Sequence, residues 1–217
     1  MIEKILERIG SQYALTEKTG NEFSTFKAQG MTFVTHAYEV KGLGHVSVMC
    51  ASGFFGLMKM DTLIVCPEEK DLPLLSYDRI YAMGNDTLFL ELYDTTLAGG
   101  TYADLDRVNE TYAALPNRIL KKEETHWYDD IRLPQTITKK GKKKETDSFD
   151  AYTLAYFNAY LNMSAAACNV EEKQKKNSLY AEGLLANGGP ATDVLRKQLG
   201  EEKTAKLLRT VLFGTQK

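Results

Sequence analysis

The 217-residue chain has few cysteines, no excess of charge of one sign and no long apolar run. Its three cysteines, Cys50, Cys66 and Cys168, are widely spaced and odd in number, so they cannot form a fully paired disulfide framework, and we expect a reducing compartment. With 27 basic against 29 acidic residues, the chain lacks the global basic field typical of nucleic-acid-binding proteins. No stretch approaches the roughly 18 apolar residues of a membrane span, and the charged start of the chain is unlike a signal peptide. We therefore expect a cytoplasmic protein that binds neither nucleic acid nor a membrane.

Recognisable metal and nucleotide motifs are also missing. The three histidines, His36, His45 and His126, have no metal-ligand spacing. There is no GxSxG motif and no P-loop, and Gly42-Leu43-Gly44 lacks the third glycine of a dinucleotide-binding turn. We expect no bound metal, flavin or nucleotide, and the lack of a Gly/Pro/Ser-rich linker predicts a single domain over residues 1–217.

The N-terminal half is predicted to form a sheet. After an amphipathic helix at about Ile2–Tyr13, residues from Phe23 to about Tyr93 are rich in β-branched and aromatic side chains and are interrupted by glycine-containing turns. Short connections favour antiparallel pairing, because parallel neighbours need crossovers of a dozen or more residues. We place the sheet-forming half at about residues 20–95.

The C-terminal half, about residues 150–214, is predicted to be helical. Apolar residues at 3-4-4-3 spacing indicate a helix from Asp150 to about Cys168, followed by a more polar helix at Val170–Ala186. A short helix stops at Gly200, and another starts at Glu201. Strands first and helices last indicate an α+β fold in which helices cover an antiparallel sheet.

One strand contains an anomalous carboxylate. In the segment from Leu74 to Ala82, the period of two places Asp78 on one face with small and apolar residues, near the middle of the strand. In the next strand, Leu88, Leu90 and Leu92 share one face, which is predicted to be core. Asp78 is therefore the first candidate for a functional residue.

A dense basic run separates the two halves. Such a run is typical of a solvated loop, and it also suits the docking of an acidic partner. The candidate docking residues are Lys139, Lys140, Lys142, Lys143 and Lys144, with Lys173, Lys175 and Lys176 on the polar helix as a second set.

These segments resemble motifs of the ferredoxin-dependent bilin reductases. The family's core motif is similar to Leu72-Pro73-Leu74-Leu75-Ser76-Tyr77-Asp78-Arg79-Ile80 and the following glycine turn and strand. The family's C-terminal spacing is similar to that of Val194-Leu195, Gly200 and Val211-Leu212-Phe213. Trp127 followed by Ile131 resembles the start of the family's helical half, so the resemblance extends discontinuously over about residues 60–214.

The resemblance implies an α/β/α sandwich with a central antiparallel sheet flanked by helices. It implies that a linear tetrapyrrole, biliverdin or a related bilin, lies between the sheet and the C-terminal helices. It also implies reduction through bilin radicals by single electrons from ferredoxin or flavodoxin, without a bound flavin or metal. Asp78 matches the family's proton-donating aspartate, and burial raises a carboxyl pKa, so a neutral acid is available near the operating pH.

The chain departs from the family pattern at two places. The histidine and glutamate of the phycocyanobilin-forming branch correspond here to Thr62 and to the vicinity of Met49-Cys50, which supply no comparable acid or base. This argues against four-electron reduction of a vinyl group. The helix-borne second aspartate of several members is displaced by about one turn to Asp193, which we interpret as an N-terminal helix charge.

The resemblance also suggests binding residues. Ser76, Thr62 and Asn187 are candidates to contact the bilin. Cations that lie between the two halves are candidates to bind its propionates, namely Arg118, Arg132, Lys121 and Lys122. We expect Tyr77, Tyr81 and Phe89 to pack beneath helices rather than to stack on the bilin.

Three functions remain open from the sequence. The first is a ferredoxin-dependent reductase, and the second is a protein that binds a tetrapyrrole without reducing it. The third is a structural or interaction domain, because a fold does not fix a function. A ligand-sized space at Asp78 favours the first two, and a closed, leucine-filled space there favours the third.

Overall fold

Eight antiparallel strands form one sheet within the part of the chain that the computed structural model describes, residues 1–117 and 125–216. Strands β3 to β8 pair in chain order, while β1 and β2 both pair with β3. Tight turns join most neighbours, and Gly42 provides the left-handed backbone (φ 87°) between β3 and β4. The strands are β1 (Ala14–Glu17), β2 (Thr25–Ala28), β3 (Met31–Lys41), β4 (Gly44–Gly53), β5 (Met58–Pro67), β6 (Leu74–Ala82), β7 (Asn85–Tyr93) and β8 (Ile137–Lys142).

Helices cover both faces of the sheet, which confirms the predicted α/β/α sandwich. They are α1 (Ile2–Gly10), α2 (Ala103–Thr111), α3 (Thr146–Leu161), α4 (Val170–Asn187), α5 (Pro190–Leu199) and α6 (Glu201–Lys206), which continues into a π-helical segment at Leu207–Leu212. None of the described helices combines the length and the apolar character that a membrane crossing requires.

The first face of the sheet is sealed by α1, α2 and α3. The leucine row of β7 packs there with Ile5 and Ile9 of α1 and with the aromatic side chains of α3. Tyr77 of β6 is fully buried on this face and meets Phe157 edge to face, with ring centroids 6.1 Å apart. Burying these apolar side chains provides most of the driving force for folding.

The second face is covered by α4, α5 and the π-helical segment. His45 Nε2 lies 2.8 Å from the Val211 carbonyl oxygen, and the Ser47 hydroxyl donates to the Leu212 carbonyl at 2.7 Å, so the π-helical segment lies on β4. At the far end of β5, the Asn177 amide of α4 donates to the Pro67 carbonyl at 2.7 Å. The helices on this side are thus anchored over β4 and over one end of the sheet.

Several predicted boundaries were wrong. The opening helix ends at Gly10, and the first C-terminal helix covers Thr146–Leu161. Beyond Leu161 the chain leaves the helix and runs along the β5–β6 connection, where the Asp71 N–H donates to the Ala166 carbonyl at 3.0 Å. Extended pairing therefore replaces the helix that the spacing of Ala165 and Cys168 predicted.

The sheet extends beyond the predicted residues 20–95. It begins with β1, and it ends with β8, which contains Lys139, Lys140 and Lys142 of the basic run. The run is therefore largely a strand rather than a loop. It pairs with β7 because that strand would otherwise expose unpaired backbone N–H and C=O groups at its edge.

Candidate functional site

Asp78 lies at the centre of the second sheet face. It pairs directly with Thr62 of β5 on one side and with Phe89 of β7 on the other. Directly paired residues of antiparallel strands point to the same face, so these three side chains lie side by side. The sequence predicted the face of Asp78 but not its neighbours, because the neighbours depend on strand register.

Two hydroxyl groups hold the Asp78 carboxyl group. The Thr62 hydroxyl donates to Asp78 Oδ1 in a short hydrogen bond, and the Ser76 hydroxyl donates to Oδ2 at 3.3 Å. Ser76 reaches Asp78 because residues two apart in a strand share a face. Together the two bonds fix the orientation of the carboxyl group.

Burial determines the proton affinity of Asp78. It raises the pKa of the carboxyl group above its usual range, and the hydrogen bonds from Thr62 and Ser76 oppose that rise. Within the described residues, no group of three His, Cys, Asp or Glu side chains is arranged to hold a metal ion. Asp78 therefore stays protonated to a higher pH than a free aspartate does.

The sheet around Asp78 is incompletely covered. Tyr77 and Arg79, which point to the opposite face, are fully buried, whereas Asp78 itself is half-buried. We call the half-buried side chains of this region the Asp78 face, namely Met60, Ser76, Asp78, Ile80, Thr87 and Phe89. The side chains at Asp78 are therefore partly accessible to solvent and include no leucine, in contrast to the opposite face of the same strands.

Phe89 was assigned to the wrong environment. We expected it to pack beneath helices together with Tyr77 and Tyr81, but it is half-buried and directly beside Asp78. Because it lies opposite the leucine row of β7, it shares the face of the carboxyl group. Knowledge of the strand register would have identified it from the sequence.

Arg132 lies at one border of the Asp78 face. Its guanidinium group is 3.4 Å from Glu91 and 3.2 Å from Asp129, and it lies over the Tyr128 ring at 5.1 Å from the centroid. Glu91 pairs directly with Ser76, the residue that donates to Asp78. The structure thus brings Arg132 close to the site, although two carboxylates already neutralise it.

Other predicted site residues lie elsewhere. The exposed Asn187 ends α4 and donates to the Gly183 carbonyl of its own helix at 3.2 Å. Arg118, Lys121 and Lys122 lie outside the described residues. Asp193 lies in the first turn of α5 with Arg196 at 3.3 Å, as expected of an N-terminal helix charge.

The residues that replace the branch-specific acid and base lie on different faces. Met49 pairs directly with Thr62 and is buried on the side of Asp78. Cys50 points to the opposite side, where burial and the neighbouring Asp61 raise the pKa of its thiol to about 12. Cys50 is therefore a protonated thiol remote from the Asp78 carboxyl group.

Two of the candidate docking lysines are buried and cannot receive a partner. Lys139 points to the leucine side of β8, and its ammonium group donates to the carbonyls of Ala113 and Leu115 at 3.1 and 3.2 Å. Lys173 is fully buried and donates to the carbonyls of Leu72 and Thr95, both at 2.6 Å. A lysine is buried only where such acceptors replace water, and the sequence did not reveal these acceptors.

Lys140 also has a location that the basic run did not predict. It pairs with Thr87, so its half-buried side chain shares the Asp78 face. One strand, β7, lies between Lys140 and Asp78, so the two residues are two strand spacings, or about 10 Å, apart across the sheet. Lys142, Lys143 and Lys144 are exposed.

Comparison with known proteins gives a structural relative only. No family model matches the chain, and no curated protein matches its sequence. Phytochromobilin synthase from tomato, solved in complex with biliverdin, is similar in structure with a TM-score of 0.75 and 13% sequence identity. The match covers 99% of this chain and 82% of that chain. The chain therefore has, over nearly its whole length, the α/β/α fold of a biliverdin-bound synthase.

Proposed function

We propose that the protein reduces a linear tetrapyrrole, biliverdin or a related bilin, with Asp78 as the proton donor. The observation that carries this proposal is a carboxyl group of raised pKa in the middle of a half-open sheet face. The fold supports it, because a structure of the same fold holds biliverdin. A closed leucine core at Asp78 would have favoured a purely structural role instead.

The Asp78 face offers both an apolar surface and an acid. Met60, Ile80 and Phe89 surround the carboxyl group with half-buried apolar side chains, which suit the flat pyrrole rings of a bilin. Lys140 and Arg132 lie at the borders of this face, and we propose them as partners for the two propionates. Lys140 is the stronger candidate, since Arg132 already pairs with Glu91 and Asp129.

The reduction requires two electrons and two protons for each double bond that becomes a single bond. The electrons come one at a time from two molecules of a reduced carrier protein, ferredoxin or flavodoxin. After the bilin has accepted an electron, neutral Asp78 gives it one proton. Asp78 thereby becomes a carboxylate. The hydroxyls of Thr62 and Ser76 stabilise that carboxylate, which later regains a proton from water, and solvent supplies the second proton.

The neighbours of Asp78 favour a single two-electron reduction. Thr62 and Met49 lie where a second acid or base would be needed for further proton transfer. A threonine hydroxyl orients a carboxyl group but does not itself supply a proton near neutral pH. We therefore propose one reduced double bond rather than two.

The carrier protein is proposed to dock at the end of β8. Lys142, Lys143 and Lys144 are exposed there and suit the acidic surface of a ferredoxin. The three cysteines are free thiols, and we propose a reducing compartment, the cytoplasm, where such a carrier is available.

Anaerobic turnover tests the proposal. The protein is mixed with biliverdin and reduced ferredoxin, and bilin absorption is followed for the wild type, Asp78→Asn and the control Asp193→Asn. We expect the rate to fall about 100- to 10,000-fold in Asp78→Asn, since general acid catalysis contributes that much. The exposed Asp193 should be replaceable without effect.

Two results would contradict the reductase proposal. If the wild type binds biliverdin but its spectrum never changes under reduction, the protein is a tetrapyrrole-binding protein. If it binds none of several linear tetrapyrroles, both tetrapyrrole functions fail.

A further inference from the structure

Several turns meet at one end of the sheet. The paired residues Gly53 and Met58 close the β4–β5 turn, and Ala82 and Asn85 close the β6–β7 turn. Met58 also pairs with Ala82, so the two turns project side by side from the same end of the sheet. The centres of the two turns are two strand spacings, or about 10 Å, apart.

The tips of these turns are unusually apolar. Phe55 is fully exposed, Met83 is 92% exposed, Leu57 is 74% exposed and Phe54 is 56% exposed. Large apolar side chains are ordinarily exposed singly, and a contiguous exposed group marks an interaction site. We call these four residues the apolar tips.

The backbone at the apolar tips adopts left-handed conformations that non-glycine residues rarely take. Phe54, Phe55 and Met83 have φ values of 52°, 56° and 51°, in the left-handed region that favours glycine. At Met83 this value is the one that a two-residue hairpin turn requires, whereas in the β4–β5 turn two successive phenylalanines adopt it at a cost in stability.

Lysines flank the apolar tips. Asn85, which follows the β6–β7 turn, pairs with Lys142, and Lys143 and Lys144 continue from the same end of the sheet. The Lys142 ammonium group donates to the Asn85 side chain at 2.8 Å, and Lys59 is exposed beside the β4–β5 turn. The end of the sheet therefore combines a protruding apolar centre with a basic border.

We propose that this end of the sheet docks onto an anionic lipid surface. The apolar tips enter the interfacial region, while Lys59 and Lys142–Lys144 contact the headgroups. The expectation that the protein has no membrane partner rested on the lack of a spanning segment, which has no bearing on surface docking. The proposal does not depend on the reductase function, and because Lys142–Lys144 are also the proposed docking site of the carrier protein, vesicles and ferredoxin should compete for these lysines.

A lipid surface fits better than a protein partner. A stable protein interface takes roughly 20–30 residues from each side and buries its central residues in pockets. Here a few side chains protrude from two narrow turns. An acidic carrier explains the lysines but gives no reason for four exposed apolar residues between them.

The location also connects the lipid surface to the Asp78 face. Asp78 lies four residue steps along β6 from Ala82 at the end of the sheet, a distance of about 13 Å. Met58, Met60 and Ile80 lie half-buried between them on the same face. An amphipathic ligand that partitions into lipid would meet an apolar path towards Asp78.

Vesicle co-sedimentation of the full chain tests the proposal. Vesicles of phosphatidylcholine alone are compared with vesicles that also contain phosphatidylglycerol. The test variant is Phe54→Ser/Phe55→Ser, and its matched control is Leu179→Ser on α4, where the leucine is 64% exposed. For charge, Lys142→Gln/Lys143→Gln is compared with Lys175→Gln/Lys176→Gln on α4.

We expect the wild type to bind the anionic vesicles. Binding should weaken at least about tenfold in the phenylalanine variant and roughly fivefold for each lysine removed, and both controls should bind like the wild type. Urea unfolding of the phenylalanine variant should be as cooperative as that of the wild type, which shows that the variant is folded.

The proposal is overturned if the wild type does not sediment with anionic vesicles, or if the phenylalanine variant sediments equally well. A dimer that the phenylalanine variant converts to monomer, without wild-type vesicle binding, would assign the tips to self-association. If the phenylalanine variant is reduced more slowly by soluble ferredoxin but still binds vesicles like the wild type, the apolar tips would be assigned to a protein partner.

Discussion

The surroundings of the half-buried Asp78 and the buried Asp71 shift the pKa values of these two aspartates in opposite directions. At Asp78 burial raises the pKa. At Asp71 burial also acts to raise it, but the N–H groups of Leu97 and Ala98 and the ammonium group of Lys173 outweigh that effect and lower the pKa. The surroundings therefore favour the protonated form of Asp78 and the ionised form of Asp71.

This contrast predicts opposite stability changes at neutral pH. A carboxyl group of raised pKa destabilises the fold progressively as pH rises from its unfolded pKa of about 4 to its folded pKa. Asp78→Asn should therefore increase the free energy of unfolding. Asp71 stabilises the fold above its unfolded pKa and loses that effect as pH falls through its folded pKa, so Asp71→Asn should cost about 1–3 kcal/mol.

Urea unfolding of both variants at pH 7 and at mildly acidic pH measures these changes. A loss of stability in Asp78→Asn at pH 7 would mean that the carboxyl group contributes to the fold rather than being tolerated by it.

At the scale of elements, β6 carries different polar chemistry on its two faces. Arg79 follows Asp78 but is fully buried on the opposite side, where it pairs with Asp86 of β7. Its guanidinium group also donates to the carbonyl of Thr146, which starts α3, at 3.3 Å and lies 3.4 Å from Asp150 in the second turn of that helix. This network fixes β6 against β7 and α3, and so fixes the direction in which Asp78 points.

Arg79→Leu should lower the free energy of unfolding by about 3–5 kcal/mol, because Asp86 would remain as a buried, uncompensated charge. The double variant Arg79→Leu/Asp86→Leu should recover much of that loss, since it removes both charges. Urea denaturation of the two variants measures the difference. Equal stability of the single and double variants would show that Asp86 is not destabilising when left alone.

How far the sequence predicted the structure differs between elements. The period of two placed Asp78 and the leucine row on the correct faces of β6 and β7. Phe89 was misplaced because strand neighbours depend on register, which the sequence of one strand does not contain. Lys139 and Lys173 were misjudged because their buried ammonium groups bind carbonyls from distant segments.

At the scale of the whole molecule, the charge of -2 conceals an uneven distribution. Lys142, Lys143 and Lys144 are exposed together at one end of the sheet, where a carrier protein is proposed to dock. Charge of this kind speeds association with an acidic partner, and salt screens it.

Replacing these lysines by glutamine should lower the second-order rate constant with reduced ferredoxin about tenfold at low salt and flatten its salt dependence. Stopped-flow measurement over a range of salt concentrations gives both quantities. Lys197→Gln/Lys203→Gln is the control, because these exposed lysines of α5 and α6 are not docking candidates. The docking proposal fails if the lysine variant keeps the wild-type salt dependence.

The most direct test of the central claim follows the proton after the first electron. Protein loaded with biliverdin is reduced anaerobically with one-electron equivalents, and the bilin radical is monitored by electron paramagnetic resonance. If Asp78 is the proton donor, the radical should be transient in the wild type and should accumulate in Asp78→Asn without forming reduced bilin. Reduced bilin formed by Asp78→Asn at the wild-type rate would contradict the account.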